Sequence, residues 1–210
     1  MLARSQYHHH QQKTGHNFEL KKTYTTKLKN SLSYELTNAQ KKVIREIVDD
    51  MNSERQMNRL LQGDVGSGKT IVALMSMFIA LDNGFQACLM APTEILAIQH
   101  YNGLVELCKD LDTSIYLLTG SSKTKARREI HEKLENGEID ILIGTHALLE
   151  DKVKFKNLGL AVIDEQHRFG VDQRGALRQK GAPCADGESN PHLLVISSTP
   201  IPLTLALSLY

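Results

Sequence analysis

The octapeptide Gly63-Asp64-Val65-Gly66-Ser67-Gly68-Lys69-Thr70 restricts the folds open to this chain more than any other stretch. It matches GxxxxGK[ST], a phosphate-binding loop whose chemistry needs a strand to enter it and a helix to leave it. The glycines let successive backbone N–H groups turn inward toward phosphate oxygens, and the helix N-terminus adds positive potential. Lys69 can then reach the β and γ phosphates while the Thr70 hydroxyl ligates Mg²⁺. The flanks agree, since Leu60 and Leu61 lead a short strand into Gly63, and Lys69 to Leu81 reads as a buried helix closed by Asn83-Gly84. The alternative is an accidental Gly-rich turn. With glycine at about 7% of residues on average, the four fixed positions coincide by chance on the order of once in tens of thousands of sites. Gly63 through Thr70, Val65 included, are therefore expected to bind nucleotide.

Beyond Thr37, helical and strand patterns alternate. Val43, Ile44, Ile47, Val48 and Met51 recur at helical spacing after a Thr37 cap. Further on, Ala87 to Met90 reads as a strand, Thr93 to Leu107 as a helix, Ile115 to Leu118 as a strand and Thr124 to Leu134 as a charged helix. Ile139 to Ile143, Leu160 to Ile163 and Leu193 to Ile196 complete the strands, each a short apolar run of the kind buried on both faces. Such alternation predicts an α/β fold, a parallel sheet with helices on both faces. Ligands of such sheets bind at the carboxyl ends of the strands, so chemistry is expected after Gln62, Met90, Ile143, Ile163 and Ile196.

Asp164-Glu165-Gln166-His167 follows one of those strands. A carboxylate there can hold Mg²⁺ opposite Thr70, and the next can polarise the water that attacks a γ phosphate. Asp164 is thus the expected metal anchor and Glu165 the expected base. An acidic turn or a helix N-cap would look the same in isolation, but the phosphate loop upstream favours an ATPase site.

Composition narrows the partners. Against 24 Asp plus Glu stand 25 Lys plus Arg, a net charge of +1, so a uniform basic field is excluded and any nucleic-acid contact must use local patches and backbone groups. No run approaches the roughly 18 apolar residues of a membrane span, and Met1 to Leu20 lacks the apolar core of a signal peptide, so a cytoplasmic location without a membrane partner is expected. The three cysteines, Cys88, Cys108 and Cys184, have neither a disulfide nor a zinc spacing. Residues 1–35 are rich in Gln, Lys, Thr and His without apolar periodicity, and read as a linker or the stump of a preceding domain. His8, His9 and His10 read there as solvated residues.

Taken together and in order, GDVGSGKT, APTEILA, GTH, DEQHRFG and TPIP resemble the first RecA-like motor half of the RecG family of superfamily 2 DNA helicases. The likeness runs from Leu36 to Tyr210, and the transcription-repair coupling factors are a neighbouring family with a similar region. The resemblance implies a RecA-like phosphate-loop NTPase domain over 36–210 and an ATP-dependent translocase on branched DNA, such as stalled forks and Holliday junctions. A coupling-factor-like motor, and a nucleotide-regulated DNA-binding module without turnover, are the alternative readings. Because the chain stops at Tyr210, the second motor half and the wedge domain of the family are expected to lie outside it.

The same resemblance assigns roles to further residues. His167 joins Asp164, Glu165 and Lys69 among the catalytic positions. Thr37 and Gln40 are similar to the family's adenine-reading element, where the Gln40 amide can match both a donor and an acceptor of the base, with Tyr34 as a stacking partner. Thr37-x-x-Gln40 is equally a capping box, in which Gln40 reaches back to the backbone of Thr37. Pro92 and Thr93, Gly120, Thr145 and His146, and Arg168 and Phe169 fall on loops that contact DNA in the family. Thr93 is also a natural helix N-cap. Lys123, Lys125, Arg127, Arg128 and Lys133 add a basic helix face, which a solvated surface would also explain. In Ser197-Ser198-Thr199-Pro200-Ile201-Pro202, similar to the family's motif III, Ser198 stands where Ala is usual and Leu203 where Arg is usual. Loss of that arginine removes a potential phosphate or interdomain contact.

Overall fold

A computed structural model describes residues 5–7, 14–21, 23–64, 66–164, 171–182, 187 and 190–198, with the backbone alone at 5–7, 171 and 172. Among these residues seven strands form a single sheet in the order β1-β2-β7-β6-β3-β5-β4. They are β1 (Ser5–Tyr7), β2 (Asn58–Gln62), β3 (Gln86–Met90), β4 (Ile115–Leu118), β5 (Ile141–Gly144), β6 (Leu158–Asp164) and β7 (His192–Ser197). Every pairing from β2 onward is parallel, and β1 alone runs antiparallel at the edge. Among the described residues six α-helices accompany them: α1 (Thr23–Ser31), α2 (Asn38–Met51), α3 (Lys69–Asp82), α4 (Glu94–Leu107), α5 (Thr124–Asn136) and α6 (Val171–Gln179). The α/β architecture with a covered parallel sheet is the one expected, and the expected strands and helices recur within a few residues at each end. None of the described helices is long and apolar enough to cross a membrane.

Because side chains alternate across a strand, each parallel run feeds two cores. Ala87, Leu89, Ile141, Ile143, Leu160, Val162, Leu194 and Ile196 pack with α1, α2, α3 and α4 on one face. Cys88, Met90, Leu142, Ala161, Ile163, Leu193 and Val195 pack with α5, α6 and the 3₁₀ turn His146–Leu149 on the other. Asp164 continues the first series after Leu160 and Val162, so its side chain leaves the sheet on the α3 and α4 side. α3 explains its own burial, since Ile71 through Leu81 are buried all round apart from the helix ends.

The register aligns the strand ends. Gln62 pairs with Ser197, Asp164 with Ile196, Met90 with both Ile163 and Gly144, and Leu118 with Gly144. All the loops expected to carry chemistry therefore leave the same edge of the sheet. At that edge a β-carbon on Gly144 would overlap the Leu118 carbonyl, so only glycine lets the two strand ends approach.

Residues 14–21 and 23–35, part of the stretch 1–35 expected as a linker or stump, pack onto this body instead. Phe18 and Leu28 are fully buried, Tyr24 stacks on Phe78 of α3 at 5.8 Å, and the Tyr24 N–H donates to Asp82 Oδ1 at 2.9 Å. The polar composition hid this because Leu28 is the one buried residue among the nine of α1, too few to show as apolar periodicity. His8, His9, His10 and Cys184 lie outside the described residues.

Candidate nucleotide site and nucleic-acid edge

The phosphate loop closes on itself around Lys69. Its ammonium is buried, donating to the carbonyls of Gly63 at 2.7 Å and Asp64 at 2.6 Å and to Ser67 Oγ at 3.3 Å. Burial pushes the Lys69 ammonium below its ordinary range, while the charges of Asp164 and Asp64 act in the opposite sense. The ammonium is thus turned onto the loop's own oxygens. The Ser67 N–H donates to the Asp64 carbonyl at 3.1 Å, and the Gly63 N–H to the Ser197 carbonyl at 3.2 Å, which ties the loop to the end of β7. Gly66 and Gly68 adopt φ of 79° and 77°, the left-handed region that glycine enters at least cost. Thr70 follows, half-buried in the first turn of α3.

A cavity of about 530 Å³ opens beside the loop, with Tyr34, Glu35, Thr37 and Gln40 on one side and Gly66, Ser67 and Gly68 on the other. Both readings of Gln40 meet here. The capping box is formed: Thr37 N–H donates to Gln40 Oε1 at 2.8 Å, and Gln40 N–H to Thr37 Oγ1 at 3.2 Å. Since Oε1 is engaged with Thr37, it is the Nε2 end that faces Gly68. Tyr34, half exposed at the rim, is open to a flat ring.

Asp164 meets a residue that sequence reasoning did not single out. His100 Nε2 donates to Asp164 Oδ2 at 2.7 Å, with both side chains largely shielded. His100 lies two turns along α4 from Thr93, and α4 follows β3. That β3 neighbours β6 is a fact of strand order, which no local pattern encodes, so the pair was invisible in the sequence. One strand-end carboxylate and one hydroxyl are hard oxygen donors, and with phosphate oxygens and water they suit Mg²⁺.

The expected nucleic-acid loops gather on the β3-β5-β4 half of the same edge. Thr93 caps α4, its Oγ1 accepting from the Leu96 N–H at 3.3 Å. Pro92 precedes it, half-buried, and Thr93 itself is exposed. Glu94 reaches across to the next loop, accepting from the Ser121 N–H at 3.2 Å and from the Ser121 hydroxyl. Hydrogen bonds from Ser121 and Thr119 hold the Glu94 carboxyl below the usual carboxylate range. The Ser121 donors, next to Gly120 in the expected DNA loop, are thus taken by a carboxylate. Gly120 is exposed beside them, Thr145 is buried, and His146 is exposed at the start of the 3₁₀ turn.

The basic helix face is smaller than its composition suggests. Arg127 donates to Glu150 Oε2 at 2.9 Å and to the Thr119 carbonyl at 2.8 Å, and Lys133 to the Tyr116 hydroxyl at 2.9 Å and Glu129 at 2.8 Å. These two side chains brace α5 against the sheet edge. Val65, Glu165, His167, Arg168, Phe169, Thr199 and Leu203 lie outside the described residues, while Ser198 falls just past β7.

The ATP-dependent DNA helicase RecG of Bacillus subtilis is 54% identical over 180 residues, covering 86% of this chain and 25% of that protein. A solved structure of RecG bound to a three-way DNA junction superposes with a TM-score of 0.79 at 44% identity, over 94% of this chain and 25% of that one. The DEAD-box helicase Mss116 bound to ssRNA and UDP-BeF, at 23% identity and a TM-score of 0.69 over 89% of this chain and 40% of that one, shares the fold. The chain thus spans about a quarter of the length of the RecG proteins it matches. The DEAD/DEAH box helicase family model matches residues 37–206, from the cap of α2 through the end of the sheet. With the phosphate loop, the strand-end aspartate and this match in agreement, the chain belongs to the DEAD/DEAH box helicase family.

Proposed function

We propose that this chain is the ATP-binding half of a RecG-like helicase or translocase that acts on branched DNA, such as stalled forks and Holliday junctions. The observation that carries the reading is the sharing of one sheet edge: the phosphate loop and Asp164 occupy the β2-β7-β6 portion, and the polar loops after β3, β4 and β5 the rest. ATP bound at one portion can then respond to DNA at the other.

In this reading Lys69 exchanges its bonds to the Gly63 and Asp64 carbonyls for β and γ phosphate oxygens, so its donors are hydrogen-bonded in both states and its charge is neutralised when nucleotide binds. Thr70 and Asp164 hold Mg²⁺, which when bound screens phosphate charge and orients the γ phosphoryl group. Glu165 orients and deprotonates the attacking water, and His167 is assigned to the same catalytic set. The base enters the cavity between Tyr34 and Gln40, where the free Nε2 of Gln40 donates to an adenine acceptor. Thr93, Gly120, Thr145, His146, Arg168 and Phe169 contact one strand of DNA, mostly through backbone and sugar-phosphate interactions. A second RecA-like domain and a wedge domain complete the machine.

Phosphate release measured with fork DNA, with plain duplex and without DNA tests the assignment. A RecG-like motor gives its highest rate with the fork. Equal stimulation by fork and duplex would favour a coupling-factor-like translocase, and binding of ATP and DNA with no release under any condition would leave only a regulated clamp.

A further inference from the structure

We infer that His100 is a positioning residue for Asp164, holding the strand-end carboxylate in the orientation that presents its second oxygen to the divalent cation. The inference rests on the reading of Asp164 as a metal anchor. Three observations carry it. The bond from His100 Nε2 to Asp164 Oδ2 is short, 2.7 Å, and both side chains are shielded, so water competes poorly for either group. A carboxylate only accepts, so Nε2 carries the shared proton and one oxygen of Asp164 is fixed by it, leaving the other directed away. Finally, His100 sits on a helix that is itself anchored: Thr93 caps α4 and Glu94 ties its first turn to Ser121, while Ala97 and Leu104 are fully buried in the core beneath.

The arrangement resembles in chemistry the outer-shell partners of metal-bound carboxylates, whose removal typically lowers metal affinity 10- to 100-fold. It also places the fixing group on the helix whose N-terminal turn faces the expected DNA edge. The geometry therefore makes α4 a strut between that edge and the metal carboxylate.

The test uses Mn²⁺ as a paramagnetic substitute for Mg²⁺, titrated by electron paramagnetic resonance into the chain saturated with ADP. His100→Leu should weaken Mn²⁺ about tenfold or more, while ADP binding in EDTA stays at the parent value. His100→Gln, whose amide nitrogen reaches about as far as Nε2, should stay within about threefold of the parent, and His100→Asn, whose amide is too short, should behave like His100→Leu. The Gln and Asn pair separates reach from packing even if His100→Leu folds poorly. If His100→Asn and His100→Leu bind Mn²⁺ like the parent while Asp164→Asn does not, His100 merely packs and the inference is overturned. It is overturned too if His100→Gln is as weak as His100→Leu. If Asp164→Asn itself leaves Mn²⁺ binding unchanged, the metal-anchor reading fails, and the His100 role with it.

Discussion

Gln40 and Gly68 are fitted so closely that a β-carbon on Gly68 would fall well inside 3.0 Å of Gln40 Nε2. Gly68 also holds φ of 77° as the residue that starts α3, where any side chain is strained. Helix α2 and the phosphate loop thus meet at this pair, and a methyl group on Gly68 would require the Gln40 amide to move. Gly68→Ala should lose about 1 kcal/mol to backbone strain and more to displacement of Gln40. Gln40→Ala alone should cost about 1 kcal/mol through the lost capping box. Because the two residues are in contact, the double variant should cost less than the two singles added, as read from urea midpoints. Strict additivity would show that the two residues do not interfere.

Lys69→Ala should abolish measurable ATP binding, because the loop's backbone N–H groups alone leave the β and γ phosphate charge uncompensated. Glu165→Gln keeps the shape of the acid pair and the charge of Asp164, so nucleotide should bind as in the parent while phosphate release falls at least a hundredfold. A Glu165→Gln variant that turned over normally would exclude Glu165 as the base.

ATP should bind more tightly than GTP, since Gln40 Nε2 can donate to adenine N7 while the second lone pair of Oε1 accepts from the N6 amino group, where guanine presents a carbonyl oxygen. Competition of each nucleotide against a fluorescent ADP analogue measures the preference. It should vanish in Gln40→Ala. If instead the preference survives and only thermal stability drops, Gln40 is a capping residue and nothing more.

His192 gives the fold a specific acid sensitivity. Its Nδ1 accepts from the Met57 N–H at 2.9 Å, so Nε2 carries the proton and donates to the His16 carbonyl at 2.7 Å. Complete burial pushes its pKa from an ordinary 6.5 down to about 4. The unfolded chain therefore takes up a proton that the fold refuses, and the stability present above pH 6.5 is lost as the pH falls toward 4. The slope is at most about 1.4 kcal/mol per pH unit, with burial of His16 acting in the same direction. Urea midpoints at pH 7.5 and pH 5 should differ by less in His192→Gln than in the parent, although that variant is less stable at both. An unchanged difference would assign the acid loss to other groups.

Tested by itself, this chain should hydrolyse ATP slowly even with fork DNA. In motors built of two RecA-like halves, an arginine from the second half stabilises the transferring phosphoryl group, a contribution of roughly 10³ to 10⁵ in rate. Fusing the family's second half after Tyr210 should raise DNA-stimulated phosphate release by orders of magnitude. Fork unwinding by the 210-residue chain at the rate of the fused form would rule out the two-half mechanism.

The sequence by itself determined the elements and the phosphate loop, because both are local. A glycine-rich turn between strand and helix, and apolar runs buried on two faces, are written within ten residues of one another. Strand-end placement of Asp164, Thr93, Gly120 and Thr145 follows from the same local patterns. What only the tertiary structure decided depends on strand order and on long-range packing. The placing of β3 beside β6 brings His100 to Asp164, and the approach of β4 to β5 lets Glu94 take the Ser121 donors. Arg127 and Lys133 read as free basic charge until the fold supplied Glu150, Thr119 and Tyr116 as partners. The polar leader hid Phe18 and Leu28, because two buried residues suffice to dock a short helix and a loop but are too few to produce a periodic signal.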